Sequence, residues 1–272
     1  MRGVSLVGFA EGRHALGEAR YFVAQGGEGP PLLLLHGFPE THACWHRIAP
    51  ALASAHRVVA PDLRGYGASE APPGGPRAEG YTKREMAAEF VRLMADLGHE
   101  RFAVVGHDRG ARVAYRLALD HPERVTRAAL LNVVPTIDQF ERMGAGPSLG
   151  YWTWYLLAQP APFPERLLLA EPSAVLDHVF ATWASAPDAI AAEQRVAYLQ
   201  ALTPSTAAAM CADFRASFHL DRDHEADDRA TGRRRLARMA SDLTATRVPG
   251  GHFNPEEAPG ELAEILGAFL RR

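Results

Sequence analysis

An α/β fold, with a mostly parallel sheet covered by helices on both faces, is what three features of this sequence predict. Short apolar runs of strand length alternate with helical periodicity through the first half of the chain. After Pro135 a block rich in Trp, Tyr, Ala and Pro keeps helical periodicity without a convincing strand, as far as about Asp223. Alternation resumes only near the C-terminus. The 272 residues are about 1.8 times the roughly 150 expected of one domain, which suits a large α/β domain carrying an insertion. The expected organisation is a first core segment over residues 1–134, a helical cap over 135–223 and a shortened second core segment over 224–272.

Taken in order, Arg20 to Ala24, Leu32 to Leu35, Arg57 to Ala60, Phe102 to Gly106 and Ala128 to Val134 read as strands. Between the third and fourth of these runs, Thr82 with Glu85 three residues later predicts a capping box. Met86, Phe90, Leu93, Met94 and Leu97 share one helical face, and Gly98 closes the helix. Past the cap, Thr246-Arg247-Val248 predicts a short last strand, and Glu256 to Leu270 a final amphipathic helix. Arg233-Arg234-Arg235, balanced by Glu225, Asp227 and Asp228, reads as a solvated helix face.

Composition excludes several classes of function. With 47% hydrophobic and 22% charged residues, and 32 acids against 29 bases for a net charge of −3, the chain is globular and unsuited to general polyanion or nucleic-acid binding. The longest clean aliphatic run, Leu32 to Leu35, is too short to cross a bilayer, and the first residues lack a secretion-signal pattern. Cys44 and Cys211 are far apart and in no metal-ligand spacing, so neither a disulfide framework nor a metal site is expected, and a reducing, cytoplasmic setting fits best.

Two motifs carry chemistry on their own residues. Gly106-His107-Asp108-Arg109-Gly110 follows an apolar strand and precedes a helical stretch, Ala111 to Leu119. Small residues on both sides of Asp108 suit a sharp strand-to-helix turn, because a bulky side chain two positions from the apex would collide with the neighbouring backbone. The motif reads as a nucleophile elbow with aspartate in place of serine, or as an ordinary helix N-cap. Gly250-Gly251-His252-Phe253 lies just before the final helix, where a flexible loop can hold an imidazole over the carboxyl edge of the sheet. Order and position make His252 the base candidate among twelve histidines.

With His36-Gly37-Phe38-Pro39, Asp62-Leu63-Arg64-Gly65-Tyr66-Gly67-Ala68-Ser69, the elbow continued through Ala111-Arg112-Val113, Val134-Pro135-Thr136, Leu157-Ala158-Gln159-Pro160 and Gly251-His252-Phe253, the chain resembles the α/β-hydrolase superfamily. Within it, the sequence is similar to the haloacetate (fluoroacetate) dehalogenases, with the epoxide hydrolases as nearest relatives. The resemblance implies that Asp108 attacks the halogen-bearing carbon, that His252 activates water to hydrolyse the resulting ester, and that no metal or organic cofactor takes part. It further implies an oxyanion hole from the backbone N–H groups of Phe38 and Arg109. Asp108-Arg109 with Arg112 is the selective feature, since epoxide hydrolases usually carry an aromatic residue at the position of Arg109.

An anionic 2-halo acid meeting a carboxylate brings two negative charges together, at a cost of about 4 kcal/mol at 4 Å and an effective dielectric of 20. Arg109 and Arg112, three apart at a helix start, are expected to fork the substrate carboxylate and offset this. Trp154 matches the family's halide-contacting tryptophan and Trp183 a further cap tryptophan; an indole N–H donates and cannot accept.

The sequence departs from the family at three positions. Thr153 stands where a histidine is usual and Phe214 where a tyrosine is, which disfavours fluoride as leaving group. Asn132 stands where the acid that orients the catalytic histidine is expected. A corresponding change in a serine-protease triad lowered the rate by about 10⁴. Relatives that place this acid after a seventh strand offer no substitute, because no Val/Ile-rich run lies between Asp223 and Val248 and the seventh core strand is expected to be missing; Asp221 and Asp223 are the remaining acid candidates. Hydrolysis of short 2-halo carboxylates is the leading expectation. An epoxide hydrolase is the second, with Tyr151 and Tyr155 as ring-protonating acids rather than core-packing residues, and a catalytically degraded homologue that keeps the pocket as a binding site or serves only as a folded partner is the third. Nothing in the sequence fixes the oligomeric state, although a homodimer is a common outcome for soluble enzymes.

Overall fold

A computed structural model describes residues 5–186, 188–232 and 243–272. Its sheet has six strands in the order β1-β2-β4-β3-β5-β6. β1 (Ala10–Leu16) and β2 (Ala19–Gly26) form an antiparallel hairpin, and β2 runs antiparallel to β4 (Arg57–Pro61). β3 (Pro31–Leu35), β4, β5 (Phe102–His107) and β6 (Val125–Leu131) are parallel. Leu32 to Leu35, Val58, Val59, Val104 and Val105 are fully buried, because the central strands are covered on both faces and so read as unbroken apolar runs.

Short α1 (Ala49–Ala53) precedes β4, and α2 (Lys83–Asp96) and α3 (Arg109–Asp120) lie on either side of β5 in sequence. The Thr82 hydroxyl caps α2 by accepting the Glu85 N–H at 3.3 Å. Met86, Phe90, Leu93 and Met94 are fully buried, and Gly98 closes the helix with φ +86°.

After β6, a run of helices forms the upper layer: α4 (Thr136–Arg142), α5 (Ala145–Gly150), α6 (Trp152–Leu156), α7 (Phe163–Ala170), α8 (Pro172–Trp183), α9 (Ala192–Ala201), α10 (Pro204–Ala216) and, past a π-helical turn at Ser217–Asp221, α11 (Arg222–Ala230). The expected final helix is split into α12 (Asn254–Glu257) and α13 (Pro259–Leu270), each with proline in its first turn, where the missing N–H would be unpaired in any case.

Three strand expectations are corrected. β1 was missed because its alternation is weak: Glu11, Arg13 and His14 interrupt it, and most of its residues stay exposed. β6 runs over Val125–Leu131 rather than Ala128 to Val134, because Asn132 adopts φ +52° and turns the chain off the sheet. Thr246-Arg247-Val248 forms no strand; among the described residues β6 is the last strand, so these three find no pairing partner. Arg233-Arg234-Arg235 lies outside the described residues. Among the described residues, no helix is long and apolar enough to cross a membrane.

A buried charge cluster fastens the helical layer to the core. Asp213 of α10 accepts from Arg109 of α3 at 3.0 and 2.8 Å and from the Tyr66 hydroxyl at 2.8 Å, and it pairs with Lys83 of α2. Burial alone would raise the Asp213 pKa; the Arg109 and Lys83 cations overcome it and hold the carboxyl well below its usual range. Breaking such a cluster leaves uncompensated buried charge at a cost of about 3–5 kcal/mol. The substitution Asp213→Asn is expected to lower unfolding free energy by that amount in urea titration; an unchanged midpoint would show that the two cations are solvated.

Candidate active site

β5 passes into α3 through Asp108, whose φ of +45° and ψ of −108° are costly for a residue with a side chain. Such strain persists only where the surroundings enforce it. The Gly110 N–H donates to His36 O at 2.9 Å and the Asp108 N–H to Leu131 O at 3.1 Å, pinning the turn to the ends of β3 and β6. A Cβ on Gly110 would strike the Leu35 and His36 carbonyls, and one on Gly106 the Gly110 backbone, so both flanks of the elbow must be glycine. The carboxylate does not cap α3, which removes the N-cap reading. Instead Oδ2 accepts the Phe38 N–H at 3.1 Å, and Oδ1 lies 3.9 Å from His252 Nε2.

His252 is held mainly through its backbone. Its N–H donates to Trp183 O at 2.8 Å, and its carbonyl accepts from His107 Nε2 at 2.7 Å. Glu257 accepts the Gly251 and Phe253 N–H groups at 2.8 Å each, together with the Ser185 N–H at 2.7 Å and the Ser185 hydroxyl, so one carboxylate joins the histidine loop to the end of α8. Nε2 is buried with no hydrogen-bond partner among the described residues. Burial, reinforced by the nearby His107 charge and opposed by Asp108, pulls the His252 pKa down to about 4, so the imidazole is neutral near pH 7. Burial pushes the Asp108 carboxyl up, but His252, Arg109 and His107 outweigh it and keep the group ionised.

His107, Glu40 and Glu257 were not singled out in the sequence. His107 Nδ1 meets Glu40 Oε2 at 2.8 Å while Nε2 meets the His252 carbonyl, and both acceptors require N–H donors. The ring is therefore an imidazolium. Burial disfavours that charge, yet Glu40 more than compensates and the pKa rises to about 9. The signal for Glu40 was its place directly after the His36–Pro39 turn.

Above Asp108 a cavity of about 500 Å³ is lined by Arg112, Trp154, Trp183 and Phe214, along with Asp108 and His252. The Arg112 guanidinium lies 4.6 Å over the Trp154 ring, and its Nη1 donates to Val134 O and Thr136 Oγ1 at 2.9 and 3.0 Å, while Nε has no partner among the described residues. Burial and the Arg109 charge bring its pKa down to about 10, so it remains cationic. Thr153 also lines the cavity, with its hydroxyl unpartnered among the described residues.

Four expected roles are corrected or narrowed. Arg109 does not line the cavity: Asp213 and the Ser217 hydroxyl, at 2.6 Å, engage its guanidinium, leaving Arg112 as the arginine of the pair that lines it. Asn132 does not reach the His252 ring; its Nδ2 donates to Gly251 O at 3.0 Å, because the carboxamide at this strand end meets the loop backbone first. Asp221 accepts from the Lys83 N–H and the Ser217 hydroxyl, Asp223 is exposed, and neither bonds His252. Tyr151 lines the cavity, but Tyr155 turns its hydroxyl to Met143 Sδ at 2.9 Å, so the two do not converge on a ring oxygen.

With the elbow, the turn that donates to it and the facing histidine in place, the chain belongs to the α/β hydrolase fold family, whose model matches residues 30–204. It is 38% identical over 270 residues to a fluoroacetate dehalogenase from Burkholderia sp, spanning 90% of this chain and 88% of that protein. A soluble epoxide hydrolase from Corynebacterium sp. is 42% identical over 109 residues, 40% of this chain and 36% of that one. A solved structure from Pseudomonas aeruginosa, assigned provisionally to the epoxide hydrolases, superposes with a TM-score of 0.91 at 39% identity, covering 99% of this chain and 98% of that chain.

The raised His107 pKa carries a sign for stability. Between the unfolded value near 6.5 and the folded value of about 9, the native state binds the extra proton, so stability falls as pH rises through that window. Glu256, pushed up to about 8 by burial and then by Glu40, acts in the same direction from its ordinary range upward. Urea midpoints measured from pH 6 to pH 9 are expected to decline in the native chain and to decline less in Glu40→Gln.

Proposed function

We propose that this chain hydrolyses the carbon–halogen bond of short 2-halo carboxylates. The observation that carries the reading is an ionised aspartate at a strained elbow, facing a neutral histidine 3.9 Å away in a cavity that also holds the Arg112 cation. A neutral epoxide has no need of that cation, and only one of the two tyrosines lines the cavity.

In the first half-reaction Arg112 attracts the substrate carboxylate and offsets its repulsion from Asp108. Oδ1, the oxygen not held by Phe38, attacks the halogen-bearing carbon; a C–O bond forms, the carbon–halogen bond breaks, and halide leaves with the electron pair. Trp154 and Trp183 supply the indoles around that departure. Phe214, a ring without a donor, offers nothing to a small, strongly hydrated fluoride, so chloride or bromide is the better leaving group.

In the second half-reaction the unpartnered Nε2 of His252 takes a proton from water as its oxygen attacks the ester carbonyl. The Phe38 N–H, already directed at Oδ2, stabilises the oxyanion, joined by the Arg109 N–H at the start of α3. Collapse expels the 2-hydroxy acid, which takes the proton from His252, and the carboxylic acid left at Asp108 gives its remaining proton through the neutral imidazole to solvent, which returns the carboxylate. No metal or organic cofactor enters either half. With Asn132 beside the loop in place of an acid, the imidazolium that forms is favoured by the Glu40 and Glu257 charges but by no carboxylate bonded to its ring among the described residues, so ester hydrolysis is the slower half.

Incubation with chloroacetate followed by intact-mass measurement is expected to show an adduct on Asp108 that decays slowly and is absent in Asp108→Asn. Neither adduct nor halide would remove the reading in favour of a protein that only binds. In Asn132→Asp the adduct is expected to decay at least about tenfold faster, a fraction of the roughly 10⁴ that a triad acid contributes elsewhere.

Esterification removes the Asp108 charge that now supports His252 protonation, so the base stays neutral down to at least its present value of about 4. Single-turnover decay of the adduct is accordingly expected to show no inflection between pH 5 and pH 8. An inflection near 6.5 would mean that the ring is solvated like a free imidazole.

A further inference from the structure

Gln139 of α4 and Thr153 of α6 both line the cavity and are 6% and 1% exposed. A helical threonine often bonds a carbonyl one turn back. Here the Thr153 hydroxyl has no partner among the described residues, and leaving a buried hydroxyl unpaired costs about 1–3 kcal/mol. The residues next in sequence pack the two helices together, Phe140 edge-to-face on Trp154 with centroids 5.2 Å apart, and the Tyr155 hydroxyl meets Met143 just past α4. Gln139 and Thr153 thus lie on packed helices that both line the cavity.

The size of the cavity points the same way. About 500 Å³ lies within the roughly 300–1,000 Å³ of sites that enclose drug-sized ligands. At about 30 Å³ per water molecule, a two-carbon halo acid on Arg112 would leave most of the space to solvent.

Building on the dehalogenase reading, we propose that Gln139 and Thr153 form a specificity subsite for a hydrogen-bonding group, a hydroxyl or carboxamide, on the substrate chain beyond the halogen-bearing carbon. The substrate class is then a 2-halo carboxylate with a polar side chain. Arg112 holds the carboxylate, Asp108 attacks the carbon between, and the carboxamide and hydroxyl of the wall pair with the distal group. A chain of equal size without that group leaves both wall residues unpaired, and a site built to hydrogen-bond its ligand discriminates on that basis.

The test compares 2-chloro-3-hydroxypropionate with 2-chlorobutyrate, which differ by a hydroxyl in place of a methyl, and uses chloroacetate as reference. Rates of Asp108 alkylation by intact mass and of chloride release are read for the native chain, Gln139→Met, Gln139→Leu and Thr153→Val. The hydroxylated acid is expected to react about tenfold faster than its apolar counterpart in the native chain, with the ratio falling towards one in the Gln139 variants whatever their absolute rates. Reaction with chloroacetate but a native ratio near one, or a ratio that survives in all three variants, overturns the subsite and leaves the dehalogenase reading intact. No reaction with any of the three acids overturns the dehalogenase reading itself.

Discussion

One buried ion pair, Glu40 with His107, ties together the three loops on which the site depends. Glu40 Oε2 accepts the Gly37 N–H at 3.2 Å and so fixes the turn that presents the Phe38 N–H to Asp108. His107 precedes Asp108 in the chain and shares the elbow's backbone. Its second N–H holds the His252 carbonyl. Removing either partner would leave a charge fully enclosed in the core, the circumstance in which buried pairs are most consequential. The geometry between nucleophile, donor and base is therefore set by a fourth group that touches none of the reacting atoms.

That pair also explains why two carboxylates and two imidazoles can share so small a volume with defined charges. His107 takes the proton because Glu40 faces it, and its positive charge then disfavours a second cation on His252, whose ring centroid lies 5.0 Å away. The outcome is an alternation of Glu40 negative, His107 positive, Asp108 negative and His252 neutral. A base must be unprotonated and a nucleophile ionised at the same pH, and mutual electrostatics at short range achieves both without an external ion.

The parts of the fold and site legible in the sequence were those encoded by local rules. Leu32 to Leu35 and the α2 stripe from Met86 to Leu97 read correctly because periodicity and burial agree within a single element. Gly106 and Gly110 marked the elbow because close backbone approach leaves no alternative residue. What was not legible depended on long-range partners. Arg109 looked like a substrate ligand from its spacing to Arg112, and only the folded chain brings Asp213, from a helix far along the sequence, to neutralise it. Asn132 sits where an acid was expected, but a positive φ at the end of β6 sends its carboxamide to the Gly251 carbonyl. Glu257 carried no spacing signal because it acts on backbone N–H groups of loops that sequence periodicity does not describe.

Arg109 and Asp213 bear on the balance between the two half-reactions. With Asp213 neutralising Arg109, Arg112 is the arginine that lines the cavity among the described residues, and in the proposed reaction its attraction matches a repulsion of about 4 kcal/mol once it lies about 4 Å from the substrate carboxylate at an effective dielectric near 20. In the proposed ester hydrolysis the carboxylate that most favoured His252 protonation has become neutral, His107 still opposes that protonation, Asn132 adds no charge, and Glu40 and Glu257 are the charges that continue to favour it. In the proposed reaction, capture of the substrate keeps the Arg112 charge whereas release of the product loses that of Asp108, an asymmetry that follows from which of the site's charges survive the first step.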